Sequence, residues 1–385
     1  MTNTALFDMP FDEASLFTKR IFGPHLHAKQ VQSLADGVVG VLGAEVLGIH
    51  AIGRALAAAR GVTDRHPVKQ VDRLIGNRKV KVPGLLRPWV RFVLGDRKAV
   101  RINLDWTDFD ADDQTMLVAS VQTTHGRSTA LAWKTVRLSE LKERRNGYED
   151  ELIQFLRDTI PADVRVTLVA DRGFGDHKLV EYLESIGFGY MIRFRQCIHV
   201  HAQGETRSAK DWLGPGGRMR VLRHAEVTAH RQPVPTVVCV RAPEMKEPWC
   251  IWASSHDLSG KEIVNCYGKR FSCEETFRDV KDLRFGLGMS WTRIGNPERR
   301  DRMMLLAVVT LALLTLLGGA GEDLGLDKRF KTNTSPKRQL SLVRQGARWL
   351  EVLPGLRPEL AEAVLTRFRE RIHEHRDMLE LLGVI

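Results

Sequence analysis

Residues 99–109 read AVRINLDWTDF, and residues 164–174 read VRVTLVADRGF. The first run is rich in β-formers, and Asp105 closes its RINLD portion. The second is mainly apolar from Val164 to Ala170, the pattern of a buried strand, and Asp171 closes it. Two further β-rich runs lie between them, QTMLVASVQT (114–123) and TALAWKTVRL (129–138), separated by short gaps containing Asp, Gly and Ser. With AVRINLDWTDF they suit an antiparallel meander. A polar helical stretch, Ser139 to Thr159, comes next. After VTLVAD, Asp176 is placed to cap the helix HKLVEYLESI, Gly187 ends it, and YMIRFRQ (190–196) forms a fifth strand.

Three strands, helix, strand, helix, strand is the order of the ribonuclease H-like fold, an α/β core. Residues 197–257 break this pattern with glycines, prolines and alternating runs such as PTVVCVRA, and read as a β-rich insertion. The catalytic core is therefore expected to comprise residues 98–196 and 258–325. Residues 1–97 are expected as a helical DNA-binding domain and 326–385 as a C-terminal helical region. Within the first of these, Thr63 or Asp64 begins a third helix that Gly76 ends, after two helices closed by glycines. KVPGLLRP (81–88) reads as a linker.

The 385 residues carry a net charge of +11, and nine of those charges fall between Arg54 and Lys98, where twelve Lys/Arg face three aspartates. Such clustering favours an anionic partner, nucleic acid above all. A short basic third helix suggests a helix-turn-helix-like module, with Lys69, Arg73, Arg78 and Lys79 facing phosphates or base edges. The N-terminus lacks the pattern of a secretory signal. The longest apolar run, Met303 to Leu317, falls short of the roughly 20 residues of a membrane span and reads as a buried core helix. Five cysteines without paired spacing suggest a reducing compartment, so the cytoplasm is expected.

The chemistry concentrates in YGKRFSCEETFRDVKD (267–282). At roughly 100° per residue, Tyr267, Arg270, Glu274 and Lys281 fall on one stripe of a single helix, bordered by Arg278. One carboxylate among cations suits a place where metal and phosphate meet. It needs partners, and Asp105 and Asp171 at strand ends are the candidates. Three hard carboxylates suit two Mg²⁺ ions about 4 Å apart, the arrangement for phosphodiester cleavage and transfer. DWTDFDADD lacks the glycine and glutamate of a calcium loop, so that reading is rejected. Cys197, His199 and His201 lack an evident fourth zinc ligand and read as a strand with polar exposed positions. Cys266 and Cys273 read as small buried residues.

DWTD, VADRGF and Y-x2-R-x3-E-x6-K, in that order, resemble the DDE transposases of bacterial insertion sequences, with insertion-sequence family 4 and its YREK pattern as the nearest subgroup. The resemblance spans roughly residues 28–318. It implies that Asp105, Asp171 and Glu274 form a catalytic triad binding Mg²⁺, for which Mn²⁺ substitutes. It implies that Tyr267, Arg270 and Lys281 contact transposon-end phosphates, and that Arg172 touches phosphate beside Asp171. Trp249, with Trp252 as the alternative, corresponds to the tryptophan that stacks on a flipped base. Double-stranded DNA is the implied partner, as terminal inverted repeats and as target, bound by a homodimer in the bacterial nucleoid with no membrane involved. A transposase-derived DNA-binding protein that no longer cuts, and a nuclease that does not join, are the competing functions.

Overall fold

The structure is a computed structural model that describes residues 3–332, 334–336, 338–374, 381 and 382. Strands β1 (Ala99–Phe109), β2 (Gln114–Gln122) and β3 (Ser128–Arg137) form the expected antiparallel meander. Asp113 makes the β1–β2 connection with a left-handed backbone, φ 52°, a conformation that aspartate tolerates better than most residues. Its carboxylate accepts bonds from the Ser139 amide at 3.0 Å and hydroxyl at 2.6 Å.

Parallel strands need a crossover, and helices supply it. Helix α6 (Arg145–Thr159) leads from β3 to β4 (Arg165–Ala170), which pairs parallel with β1. Helix α7 (His177–Ser185) leads to β5 (Gly189–Arg193), which pairs parallel with β4. Asp176 caps α7 through the Lys178 amide at 3.1 Å. The β-rich insertion does not fold apart from this core. Its strands β6 (His199–Ala202), β7 (Glu205–Ser208), β8 (Arg220–Val227), β9 (Gln232–Val240) and β10 (Trp249–Ala253) continue the same sheet, with β10 antiparallel to β5. One ten-stranded sheet results, in the order β3-β2-β1-β4-β5-β10-β9-β8-β6-β7.

The described N-terminal residues are helical from Asn3. Helix α1 (Asn3–Phe22), which sequence patterning does not signal, buries Ala14, Phe17, Ile21 and Phe22. Helices α2 (Ala28–Ala44), α3 (Ile49–Arg60) and α4 (Arg65–Gly76) follow. The bend between α2 and α3 is 95°. Glycines allow the close crossings: a Cβ on Gly53 would lie 2.5 Å from the Val68 Cα, and one on Gly40 2.6 Å from Ile52. The expected linker at 81–88 is instead the first half of helix α5 (Val82–Leu94). Pro83 sits in the first turn, where its missing N–H costs nothing. Val82, Leu85, Leu86, Trp89, Val90 and Val93 then keep helical spacing into the core.

Helices α8 (Gly260–Gly268) and α9 (Phe271–Lys281) carry the candidate site, and α10 (Pro297–Asp323) runs through the core. Helix α10 is long and apolar enough to cross a membrane, yet its apolar window is entirely enclosed by the rest of the protein. It packs on α2, α4, α5 and β3, and on α11 (Leu342–Val352) and α12 (Pro358–His373) of the C-terminal region. Residues 375–380 and 383–385 of that region lie outside the described residues.

One contact along α10 has a pH signature. Asp301 accepts bonds from the Thr135 amide at 2.9 Å and hydroxyl at 2.6 Å on β3. Its carboxyl is enclosed although the residue keeps some exposed surface. Burial pushes its pKa from the usual 3.8 to about 7, and the Thr135 bonds only partly oppose the shift. A carboxyl with a raised folded-state pKa contributes stability that is complete below the unfolded value and lost as pH rises through the folded one. Asp301→Asn keeps the acceptor and removes the titration. In urea unfolding, its stability relative to the parent should therefore rise between about pH 4 and about pH 7. Parallel pH profiles for the two proteins would show that Asp301 does not titrate in this range.

Candidate active site

The parallel pairing of β1 with β4 ends at Leu104 opposite Ala170. The next residues are Asp105 and Asp171, so the register sets the two carboxylates side by side. Asp171 follows the last residue of its strand, as expected. Asp105 does not end its strand: β1 continues to Phe109 because β2 goes on pairing with it, with Asp105 opposite Val118. The parallel partner stops there, and the strand does not. Beyond Ala170 the chain turns through Arg172–Phe174, held by the Gly173 amide donating to Asp171 Oδ1 at 2.8 Å.

Alternation along β1 sorts its side chains by face. Asp105 and Thr107 point to α9. Trp106 points to α6, where its indole N–H donates to Glu149 Oε1 at 2.8 Å. Asp108 shares the parity of Trp106 and is exposed, so it is no substitute for Asp105 on the α9 side.

Tyr267, Arg270, Glu274 and Lys281 do not share one helix. Helix α8 ends at Gly268 and α9 begins at Phe271. At the junction the amides bond three residues back: Arg270 to Tyr267 at 2.9 Å, Ser272 to Lys269 at 3.1 Å and Cys273 to Arg270 at 2.9 Å. These tighter turns shift the two segments out of a common helical phase. Tyr267 is fully buried beneath Trp249, whose ring meets it edge-on at 5.1 Å. The Tyr267 hydroxyl has no hydrogen-bond partner among the described residues. Burial raises its pKa, and Arg270 opposes the rise.

Arg270 lies between two carboxylates. One guanidinium nitrogen donates to Asp105 Oδ2 at 2.8 Å and the other to Glu274 Oε1 at 2.5 Å. Its side chain is 6% exposed, against 49% for Glu274. The Cys273 thiol also donates to Asp105 Oδ2, at 3.3 Å, and the Trp106 amide to Oδ1 at 3.0 Å. Burial pushes the Asp105 pKa up; Arg270 and Cys273 oppose this, and the charges of Asp171 and Glu274 add to it. Asp105 thus feels both other carboxylates. Burial also raises the Cys273 thiol, which stays protonated as a donor. Lys281 donates to Thr107 Oγ1 at 3.1 Å and to the Asp108 carbonyl at 2.6 Å, with its ammonium 4.9 Å from the Phe109 ring centre. Burial lowers its pKa, against the pull of Asp108 and Asp110.

Arg172 reaches away from these groups to Glu247, at 3.1 Å, which also binds Arg193 at 2.6 Å. Trp249 is half-buried and stacks on Phe271 at 5.8 Å, directly over the α8–α9 junction. Trp252 is fully buried against Phe194 at 5.1 Å and presents no surface. Lys69 and Arg73 are exposed one turn apart on α4, and Arg78 and Lys79 are exposed in the turn after it. His199 is exposed, His201 bonds Thr206, and Cys197 lies outside β6.

Two contributors escape sequence reading. Cys273, read as a small buried residue, is a thiol donor to Asp105. Arg145 lies with its guanidinium 5.7 Å from the Trp106 ring and 5.5 Å from that of Phe174, bordering the Asp171 turn. Its only signal in the sequence is a basic residue opening a polar helix.

Asp105, Asp171 and Glu274 are oxygen donors of the kind hard divalent cations take. Their mutual repulsion at Asp105 is what a cation would relieve, so the donor set fits in chemistry. It is not drawn together: among the described residues no three His, Cys, Asp or Glu side chains are gathered closely enough to hold a metal ion. Arg270 supplies the positive charge between Asp105 and Glu274 instead.

Residues 138–311 match the family model of the transposase DDE domain. The match supports a DDE transposase. The matched segment holds Asp171 and Glu274 and begins beyond Asp105. Such a match suggests a nuclease or transferase activity related to DNA transposition. None of the curated proteins matches the chain.

Removing Arg270 should leave a buried carboxylate without its counter-charge. Arg270→Ala should lower stability by about 3 kcal/mol in urea unfolding, the usual cost of breaking a buried pair. Glu274→Gln, at the more exposed end, should change it by less than about 1 kcal/mol. Equal losses from the two would show that the Asp105 contact is not the dominant one.

Proposed function

We propose that this chain is an insertion-sequence transposase of the family 4 group. It would cleave DNA at the two ends of its element and join them to target DNA by cut-and-paste transposition. The observation that best supports this is geometric: the register of β1 and β4 sets Asp105 beside Asp171, and Arg270 links Asp105 to Glu274 on α9, in a chain whose residues 138–311 match the transposase DDE domain.

Asp105, Asp171 and Glu274 would hold Mg²⁺ in a two-ion site, with Mn²⁺ as a substitute. When bound, Mg²⁺ supplies activation of the attacking water or 3′-hydroxyl and offsets charge on the leaving oxygen. For the carboxylates to close, Arg270 must give them up. Its guanidinium then suits a DNA phosphate, which accepts the same paired N–H donors as a carboxylate. Lys281, anchored on β1, would hold a neighbouring phosphate. Tyr267 reaches DNA only when the Trp249 ring above it lifts. The phosphate role of Tyr267 and the base-stacking role of Trp249 therefore belong to one rearrangement. Arg172 joins the DNA contacts by exchanging Glu247 for phosphate. The helices α2–α4, with Lys69, Arg73, Arg78 and Lys79, would bind the terminal inverted repeats. The working form would be a homodimer on double-stranded DNA in the bacterial cytoplasm, at the nucleoid, with no membrane involved.

The placement of Arg270 favours a second reading, a DNA-binding protein of transposase descent that no longer cuts. One experiment separates the two. The DNA segments flanking the gene are placed on a plasmid and incubated with purified protein and Mg²⁺. The parent should excise the intervening DNA. Glu274→Gln should be slowed more than about 100-fold, beyond what the loss of a residue merely supporting a metal ligand costs. Binding of the end DNA without cutting by either protein would favour the second reading. Equal cutting by both would remove Glu274 from the site.

The basic helices make a separate prediction. Replacing Lys69 and Arg73 with alanine should lower the slope of log affinity against log salt by about one per residue. An unchanged slope would move the DNA contact elsewhere.

A further inference from the structure

The segment between α9 and α10, residues 282–296, combines a pinned backbone with exposed apolar side chains. Asp282 Oδ1 accepts from the Arg284 amide at 2.7 Å and the Phe285 amide at 2.8 Å. The Leu287 amide donates to the Asp279 carbonyl at 2.7 Å, and the Leu47 amide donates to the Leu287 carbonyl at 2.7 Å. Thr292 donates to the Leu47 carbonyl at 2.7 Å, and Arg293 to the Ala111 carbonyl at 2.7 Å. Gly286 is required where it stands: a Cβ there would lie 2.1 Å from the Asp279 carbonyl oxygen. Leu287, Met289 and Ile294 are buried as anchors.

From this held backbone Leu283, Phe285 and Trp291 project into solvent. Trp291, 73% exposed, is the most exposed large hydrophobic residue among the described residues. From Leu283 to Asn296 the sequence contains two arginines, Arg284 and Arg293, and no acid. The Arg284 guanidinium lies 5.5 Å from the Phe285 ring centre. One end of the loop follows Lys281, and Leu47, to which it is bonded, immediately precedes the basic helices α3 and α4. The loop therefore bridges the candidate active site and the basic segment.

Aromatic side chains interleaved with arginines suit a nucleic acid whose bases are accessible, because every base has a face on which to stack. A second copy of this chain is a poorer occupant: it carries a net charge of +11, and the loop's arginines would meet like charge. We infer that the 283–293 loop is a further DNA contact, with Trp291 stacking on an unpaired base next to the duplex and Arg284 on the adjoining phosphate. The inference rests on the proposed function insofar as DNA is the partner. Its geometry is independent of the carboxylate site. Because the backbone is already fixed, little order has to be created on binding.

The test compares two fluorescein-labelled probes on the full-length chain: a blunt duplex, and the same duplex with a single-stranded oligo-dT tail. Anisotropy should show tighter binding of the tailed probe by the parent. Trp291→Ala should weaken tailed-probe binding by about tenfold, within the range for one lost stacked base, and leave the blunt probe unaffected. Trp291→Phe should retain most of the preference. If the alanine variant binds both probes as the parent does, the loop is not a DNA contact, while the transposase reading stands. If it binds both as the parent does but alters the oligomeric state by sedimentation, the loop is a protein interface and the inference is overturned. If the parent binds neither probe, the DNA partner itself is wrong, and both readings fall together.

Discussion

The site depends on where one ladder of hydrogen bonds stops. The parallel pairing of β1 and β4 ends at Leu104 and Ala170, and Asp105 and Asp171 are the next residues on each strand. Two acids adjacent in space are unfavourable unless something positive joins them. In this structure Arg270, reaching from the turn between two helices, brings positive charge to Asp105 and ties it to Glu274. The tightened α8–α9 junction sets that guanidinium at Asp105, beside the Cys273 thiol and the buried Tyr267.

Much of the core was legible because its strands are long and strongly patterned. The three-stranded meander, β4, β5 and the Asp176 cap on α7 appear where the apolar runs and turn residues lead. The place of Asp171 after β4 was legible for the same reason, since an acid that closes a mainly apolar run stands out, whereas Asp105 proved to lie within its strand. Contacts that depend on tertiary geometry were not. Nothing local marks Cys273 as a donor or Arg145 as a neighbour of the Asp171 turn. The helix break at Lys269 and Arg270 is also silent, because both residues keep right-handed helical angles and only the hydrogen bonds shorten their reach.

One misreading and one omission share a cause. KVPGLLRP looks like a linker because Pro83, Gly84 and Pro88 fall within eight residues, yet its apolar positions continue into Trp89 and Val93 with helical spacing. Packing against the core outweighs weak intrinsic preference, as it often does for short amphipathic segments. Helix α1 goes unsignalled similarly: Pro10 obscures a pattern whose burial is decided by α2, α5 and α12.

The continuity of the sheet across β5 and β10 constrains how this chain could have been shortened. Cutting out the inserted residues would strip β5 of its outer neighbour and leave Tyr190, Met191 and Ile192 on a bare apolar margin. Such a margin is a template for adding strands from other molecules. The insertion therefore doubles as a seal against self-association, and a compact descendant without it would need a helix or a charged rim to replace that seal.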